Sequence, residues 1–439
     1  MRDDDTIVAL SSGAVPSGVA VIRLSGPQAG PVLSEMLGAL PAPRQLKLAD
    51  IRIAGETLDR GLVAWMPGPQ SFTGEDCAEL QVHGSPAVVR VLLRKLSSQP
   101  GIRLAEAGEF TRRAFENGKL DLVEAQGLGD LIEAETENQR ALAYARMEGG
   151  LTRQVEGWRE QLLDLRAEIE AQIDFSDEGD VGALPAGFGA EVAALRDAVA
   201  AVLATRGQGR ILRSGFRVVL AGPPNAGKSS LLNALSRSDV AIVSDEPGTT
   251  RDLKEVPLDI RGQLVILVDS AGIRDTTSKA EAIGVERARQ AILSADQVLW
   301  LRAPDVEPAG DEPDLGAETD RRAPVIVVGT KSDLGVVPGA DLTVSVNTGA
   351  GIDALLDQLY EASGAGSVQA SELLVSYERD REALEAAAIS LQQVADHLGS
   401  SELAAEDLRQ ASFALERLLG RMDAESVLDR LFSAFCIGK

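Results

Sequence analysis

The stretch Gly222-Pro-Pro-Asn-Ala-Gly227-Lys228-Ser229 follows directly on the apolar run Arg217-Val-Val-Leu-Ala221. A strand feeding a glycine-containing turn that closes on Lys-Ser is the arrangement in which backbone N–H groups and a helix N-terminus cradle phosphates. The glycines let the backbone come close, Lys228 meets the β and γ phosphates, and the Ser229 hydroxyl goes to magnesium. Asn225, Ala226, Gly227 and Ser230 complete the phosphate-facing set.

Further stretches come in the order of a GTP-hydrolysing domain. In Gly248-Thr249-Thr250-Arg251-Asp252 the hydroxyl of Thr250 can reach magnesium and the γ phosphate, and becomes ordered only when that phosphate is present. Asp269-Ser270-Ala271-Gly272 ends an apolar run, giving a carboxylate to the magnesium shell and a glycine N–H to the γ phosphate. Thr330-Lys331-Ser332-Asp333 ends a later one, and Asp333 can accept two hydrogen bonds from guanine that adenine cannot offer. Thr330 departs from the usual Asn-Lys-x-Asp pattern, since a hydroxyl lacks an amide's paired donor and acceptor; this predicts weaker nucleotide binding with the same base. Ser345-Val346-Asn347 stands where a backbone N–H meets the base oxygen. Ras-like chains carry a water-orienting glutamine after Asp-x-x-Gly, but here that position is Ile273. Another group must orient the water, and the carboxylates of Arg274-Asp-Thr-Thr-Ser-Lys-Ala-Glu281 are the candidates. On its own, Glu281 reads as a solvated acidic residue.

The elements that position these residues fall into three parts over 439 residues. Residues 1–118 carry short β-type runs (Gly18–Arg23, Gly61–Trp65, Cys77–Val82) between Gly and Pro turns and predict an α+β domain. Residues 119–213 change to Ala, Leu, Glu and Arg at helical spacing, as in Leu162, Leu165, Ile169 and Ile173, with a loop around Phe175–Phe188. Residues 214–368 alternate strands and helices and predict an inserted, parallel α/β P-loop domain of the Ras-like kind, with an acidic, Pro-rich extension at 304–322. Residues 369–439 return to the helical pattern (Leu384, Ala388, Leu391, Val394, Leu398) and are expected to pack on the earlier helices as one discontinuous helical domain.

Composition sets outer limits. Hydrophobic residues at 44% and charged residues at 25% place the chain among globular proteins. A formal charge of −24 works against a large basic face, so a nucleic-acid partner needs a local patch or a second protein to hold it. Two distant cysteines, Cys77 and Cys436, read as thiols of a reducing compartment, and no metal-ligand spacing surrounds His83. The acidic Met1-Arg-Asp-Asp-Asp start lacks a signal-peptide pattern, and Cys436-Ile-Gly-Lys439 has the outline of a prenylation box but ends in Lys. These features together predict a cytoplasmic protein.

The flanking motifs are more specific than the GTPase set. Ser71-Phe-Thr-Gly-Glu-Asp76, Gly108-Glu-Phe-Thr111, Asn117-Gly-Lys-Leu-Asp-Leu122, Ile173-Asp-Phe175 and Phe435-Cys-Ile-Gly-Lys439, with the phosphate loop, resemble the MnmE (TrmE) family of tRNA modification GTPases along the whole chain. The resemblance implies a folate-binding-like N-terminal domain that forms the homodimer, and G domains that approach one another in the GTP state. It implies potassium in place of an arginine finger, with Asn225, Ser244, Glu246 and Thr249 around the ion. It assigns Glu281 to orient the water, so that Glu281, Lys228 and Thr250 form the catalytic set with Ser229 and Thr250 on magnesium. Arg23, Glu79, Lys119 and Lys439, which alone read as surface charges, match the family's positions for 5-formyltetrahydrofolate or a related folate. Cys436 would lie beside that pocket, where a thiol role is conceivable, although packing is the commoner use of a cysteine after Phe435. The family works with the flavoprotein MnmG as a heterotetramer to convert C5 of the tRNA wobble uridine to carboxymethylaminomethyl or aminomethyl uridine. No flavin or nicotinamide fingerprint appears in this chain, so redox chemistry would arrive on that partner. The rival reading is a ribosome-assembly or regulatory GTPase acting as a nucleotide-gated binding module; folate binding and cosedimentation with ribosomal particles separate the two.

Overall fold

A computed structural model describes residues 5–174, 184–242, 254–269, 291–306, 323–364, 366, 369, 372–422, 431–432, 435 and 438. The chain divides into two compact units, residues 1–129 with 412–439, and residues 130–411. No helix among the described residues is long and apolar enough to cross a membrane.

The first unit is built on a six-stranded sheet in the order β3-β4-β5-β2-β1-β6. Its elements are β1 (Thr6–Leu10), β2 (Ser17–Ser25), α1 (Ala29–Leu37), β3 (Lys47–Ile53), β4 (Glu56–Met66), β5 (Cys77–Gly84), α2 (Pro86–Ser97), β6 (Ile102–Leu104), α3 (Glu109–Glu116) and α4 (Leu122–Glu133). Only β1 and β6 pair in parallel; the other neighbours are antiparallel. Side chains alternate across a strand, and the sequence follows that period. Ala20, Ile22 and Leu24 of β2 and Ala78, Leu80 and Val82 of β5 enter one core with Val32, Leu33 and Met36 of α1 and Leu92 and Leu96 of α2. The odd-numbered residues of β2 and β5 therefore point the other way, toward a smaller cluster in which Ile7 and Ala9 pack on Phe110. The three expected runs lie inside β2, β4 and β5.

The second unit opens with α5 (Glu137–Met147), α6 (Gly150–Asp174), α7 (Phe188–Ala204) and α8 (Arg206–Ser214). It continues through β7 (Phe216–Ala221), α9 (Lys228–Leu235), β8 (Lys254–Ile260), β9 (Gln263–Asp269), β10 (Gln297–Arg302), β11 (Val325–Gly329), β12 (Leu342–Thr343) and α10 (Ile352–Ala362). The helical pattern returns in α11 (Glu378–Asp396) and α12 (Ser401–Leu418). The second sheet has the order β12-β11-β10-β7-β9-β8. It is parallel, as expected, except at the edge strand β8, which pairs antiparallel with β9. The cause is local: Arg261 and Gly262 join the strands with φ of 55° and 86°, the positive pair a tight hairpin turn requires, and a two-residue link permits only antiparallel pairing.

Helices on either side of this α/β region pack together. Val192, Leu195 and Val199 of α7 are buried, as are Leu384, Ala387, Leu391 and Val394 of α11, and the two helices lie in contact. The stripe turns on Ala387 rather than Ala388, and Leu398 leaves it because α11 ends at Asp396.

One charged pair sits within this helical layer. Arg146 Nη1 donates to Asp380 Oδ2 at 2.9 Å with both side chains fully buried, and also to the Leu374 carbonyl. Tyr377 extends the cluster: the guanidinium carbons of Arg146 and Arg213 lie 5.1 and 3.7 Å from its ring centroid, and its hydroxyl donates to Asp130 at 2.8 Å. Burial, then the Asp130 carboxylate, push the Tyr377 hydroxyl well above the ordinary tyrosine range. An ion pair removed from water is costly to break, because deleting one partner leaves an uncompensated charge. Replacing Arg146 by Ala is expected to lower unfolding stability by roughly 3–5 kcal/mol. Urea melts of the two proteins measure this, and a loss under about 1 kcal/mol would contradict it.

Candidate nucleotide and pterin sites

The nucleotide site grows from the end of β7. Gly222 has φ of 138°, and a Cβ there would lie 2.4 Å from the Leu301 carbonyl, so only glycine lets the chain leave β7 this close to β10. Asn225 takes a left-handed conformation at φ 65°, one that asparagine tolerates better than most residues. Gly227, at φ 91°, caps α9, whose first residue is Lys228. The uncapped N–H groups and positive dipole end of α9 thus open onto the loop. Lys228 is buried, with Nζ donating to the carbonyls of Gly222 at 2.7 Å and Pro223 at 2.8 Å.

Ser229 Oγ donates to Asp269 Oδ2 at 2.9 Å, and Asp269 is buried at the end of β9. A hydroxyl and a carboxylate brought together from two elements make the oxygen-donor pair that a hard cation takes, so these residues fit magnesium.

The residues expected to read the base converge from the end of β11 and the segment after β12. Thr330 is 3% exposed; its amide donates to the Arg302 carbonyl at 2.7 Å and its hydroxyl to the Ala226 carbonyl at 2.7 Å. Asp333 accepts from Ser345 Oγ at 2.6 Å on one oxygen and from Asn347 Nδ2 at 3.1 Å on the other. These hydrogen bonds, Ser345 first, hold the Asp333 carboxyl below the usual aspartate range, leaving it ionised and able to accept further hydrogen bonds. Val346 is exposed between them. Lys331 does not reach toward Asp333; its Nζ is taken by Asp305 at 2.8 and 2.9 Å. Ser230 is exposed on the first turn of α9. Ser244, Glu246, Thr249, Thr250, Ser270, Ala271, Gly272 and Glu281 lie outside the described residues, as do Cys436 and Lys439.

The first unit brings Arg23 and Glu79 together on adjacent strands, Arg23 Nη2 standing 2.8 Å and Nε 3.0 Å from Glu79 Oε1. Two aromatic rings that sequence reading did not connect with them flank the guanidinium, Phe72 at 5.5 Å and Phe110 at 5.7 Å. Lys119 Nζ donates to the Pro69 carbonyl at 2.8 Å, against the loop that carries Phe72. Gly438, next to the terminal lysine, accepts from Ser11 Oγ at 2.7 Å, and Leu10 beside it pairs with Ile22, the neighbour of Arg23. Among the described residues no group of three or more His, Cys, Asp and Glu gathers as a metal site.

The motifs that flank this face supply its support. Ser25 Oγ donates to Glu75 at 2.6 Å and lies 2.6 Å from Thr73 Oγ1; Asn117 donates to the Thr73 carbonyl at 2.7 Å. Arg113 joins Glu75 and Glu109, each at 3.1 Å, and Arg103 grips Glu109 through both oxygens at 2.5 and 2.8 Å. Burial alone would raise Glu109, but the Arg103 hydrogen bonds, a backbone donor and the charges of Arg103 and Arg113 outweigh it and lower its pKa. A carboxylate depressed on folding stabilises fully above its unfolded value of about 4.3, and that contribution disappears as pH falls through the folded value. Unfolding midpoints measured from pH 6 down to about pH 3 are expected to fall less steeply in Arg103→Gln than in the unaltered protein; parallel curves would show that the pair does not carry the dependence.

A family model described as "GTP-binding protein TrmE N-terminus" matches residues 6–119, and one described as "MnmE helical domain" matches residues 122–436. The protein described as tRNA modification GTPase MnmE from Methylobacterium radiotolerans is 51% identical over 449 residues, covering 100% of both chains. Its counterpart from Rhizobium meliloti is 47% identical over 447 residues, again covering 100% of both. Among solved structures, a single-residue variant of Aquifex aeolicus Era bound to GDP.AlF4- is 26% identical over 33% of this chain and 56% of its own, with a TM-score of 0.26. With the nucleotide loop, the paired N-terminal motifs and full-length identity of this degree, the chain belongs to the MnmE family of tRNA modification GTPases.

Proposed function

We propose that this GTPase couples potassium-dependent GTP hydrolysis to modification of C5 of the tRNA wobble uridine, working as a homodimer with the flavoprotein MnmG. The products are carboxymethylaminomethyl or aminomethyl uridine, and the setting is the cytoplasm. Residues 1–118 hold folate and the dimer contact, 119–213 and 369–439 form the helical domain, and 214–368 form the inserted G domain. The observation that carries the reading is the assembly of Lys228, Ser229 and Asp269 at one end of the sheet with Asp333, Ser345 and Asn347 beside Thr330. Phosphate, magnesium and base each find their chemistry there.

In the hydrolysis step Lys228 leaves the loop carbonyls for the β and γ phosphates, exchanging two neutral acceptors for charged ones. Ser229, Thr250 and Asp269 hold magnesium, which supplies charge neutralisation to the phosphates. Asn225, Ser244, Glu246 and Thr249 hold potassium, a positive charge of the kind the transition state requires. Asn225 offers an amide oxygen from an exposed, left-handed position on the loop, chemistry suited to that ion. Glu281 orients the attacking water, and Ser270, Ala271 and Gly272 line the γ phosphate.

In the N-terminal domain, Glu79 presents a carboxylate to the donor edge of a pterin while Phe72, which is exposed, gives it an apolar wall. Arg23, Lys119 and Lys439 suit the carboxylates of the glutamyl tail. The folate carries the one-carbon unit when bound.

Two measurements test the reading. Mass spectrometry of wobble nucleosides from cells lacking the gene is expected to show loss of the 5-substituted uridine; an unchanged profile would remove the tRNA assignment to this site. Hydrolysis in potassium is expected to exceed that in sodium at equal ionic strength on the order of a hundredfold. Asn225→Ala should erase most of that ratio, and a ratio near one in the unaltered protein would exclude potassium.

A further inference from the structure

Three buried groups that can both donate and accept, the Ser25 and Thr73 hydroxyls and the Cys77 thiol, meet where the loop between β4 and β5 returns to the sheet. Ser25 Oγ donates to Glu75 Oε2 at 2.6 Å and stands 2.6 Å from Thr73 Oγ1. Glu75 is held by Arg113 at 3.1 Å to each oxygen, and a carboxylate so paired only accepts, so it takes the one Ser25 proton. The Thr73 proton therefore goes to Ser25. Thr73 Oγ1 is left to accept, and two donors face it, the Glu75 amide and the Cys77 thiol, each at 3.2 Å. Donation thus runs one way, from Cys77 through Thr73 and Ser25 to Glu75, and closes on Arg113.

This chain adjoins the pair Arg23 and Glu79. Ser25 is the partner of Cys77 across β2 and β5, two residues along from Arg23 and its partner Glu79, so all four side chains share one face of the sheet. Thr73 is fully buried, and its carbonyl accepts from Asn117 at 2.7 Å. Phe72, the residue before it, is 36% exposed, with its ring centroid 5.5 Å from the Arg23 guanidinium carbon. Resting on the pterin reading of this face, we propose that Thr73 is a positioning residue for that site, its hydroxyl rooting the loop on the sheet and so fixing where Phe72 stands beside Arg23. A buried polar chain whose members are all satisfied holds one arrangement, because any other strands a donor or an acceptor away from water. The loop is thereby set before a ligand arrives, and the exposed ring is presented on a buried, hydrogen-bonded root.

The test is calorimetric titration of the full-length protein with 5-formyltetrahydrofolate. Thr73→Val keeps the shape and breaks the chain, and its dissociation constant is expected to rise about tenfold. Ser25→Ala, which cuts the chain one link on, is expected to give a similar loss and stands in should the Val variant not fold. Thr73→Ser, which keeps the hydroxyl, is expected to stay within about twofold of the unaltered protein. Phe72→Ala is expected to lose about as much as Thr73→Val, and joining the two to add less than about twofold, because the hydroxyl acts through the ring. Unchanged affinity in Thr73→Val and Ser25→Ala overturns the inference, as does a Ser variant as weak as Val. Losses that multiply in the double variant overturn it too, since packing rather than the placement of Phe72 would then be the cause. Failure of the unaltered protein to bind the folate strikes the pterin reading, and the inference with it.

Discussion

A loop that binds phosphate has to keep backbone N–H groups available, so it cannot be fastened the way a helix or strand is. Here the fastening falls on carbonyls and on close approach. Lys228 takes the carbonyls of Gly222 and Pro223, Thr330 takes that of Ala226, and the missing Cβ of Gly222 lets the loop rest on β10. Loop carbonyls held from within leave donors directed outward, and the dipole of α9 adds to the same side. The nucleotide site depends on this partition of backbone polarity.

The partition reaches into the rest of the second unit through β9. One end of this strand carries Asp269 against Ser229; the other follows the Arg261-Gly262 turn. The Gly262 carbonyl accepts the Asn138 amide at 3.2 Å, one of the N–H groups that the first turn of α5 cannot satisfy internally. The Thr136 capping box satisfies others, and Gln139 Nε2 reaches the Arg213 carbonyl at 2.9 Å. A hairpin turn thereby completes a helix cap in the helical layer, and the strand that carries Asp269 shares its hydrogen bonding with that layer.

How much of this was legible in the sequence follows from how local each feature is. The phosphate loop, the Asp269 end and the Asp333 segment each declare themselves within a few residues, because a single turn must supply the chemistry. The stripe of α11 was legible in period but shifted at Ala387, since 3.6 residues per turn leaves i+3 and i+4 both eligible and only contact with α7 decides. β8 was missed because Lys254-Glu-Val-Pro-Leu-Asp-Ile260, an edge strand, mixes charge and proline with its apolar residues. Least legible was the setting of Arg23: Phe72 and Phe110 lie far from it in sequence, and no spacing rule connects them.

The same reasoning separates the two kinds of charge in the first unit. Glu109 and Arg113 are buried and satisfied on several sides, so their ion pairs are a condition of folding and leave little capacity for a ligand. Arg23 and Glu79 are partly exposed, joined to each other and set between aromatic faces. A pair of that kind retains unused donors and acceptors at low desolvation cost, which is the state a recognition site needs before its ligand arrives. The quoted motifs around residues 71–76 and 108–111 thus supply the rigid support, while β2 and β5 present Arg23 and Glu79 at the surface.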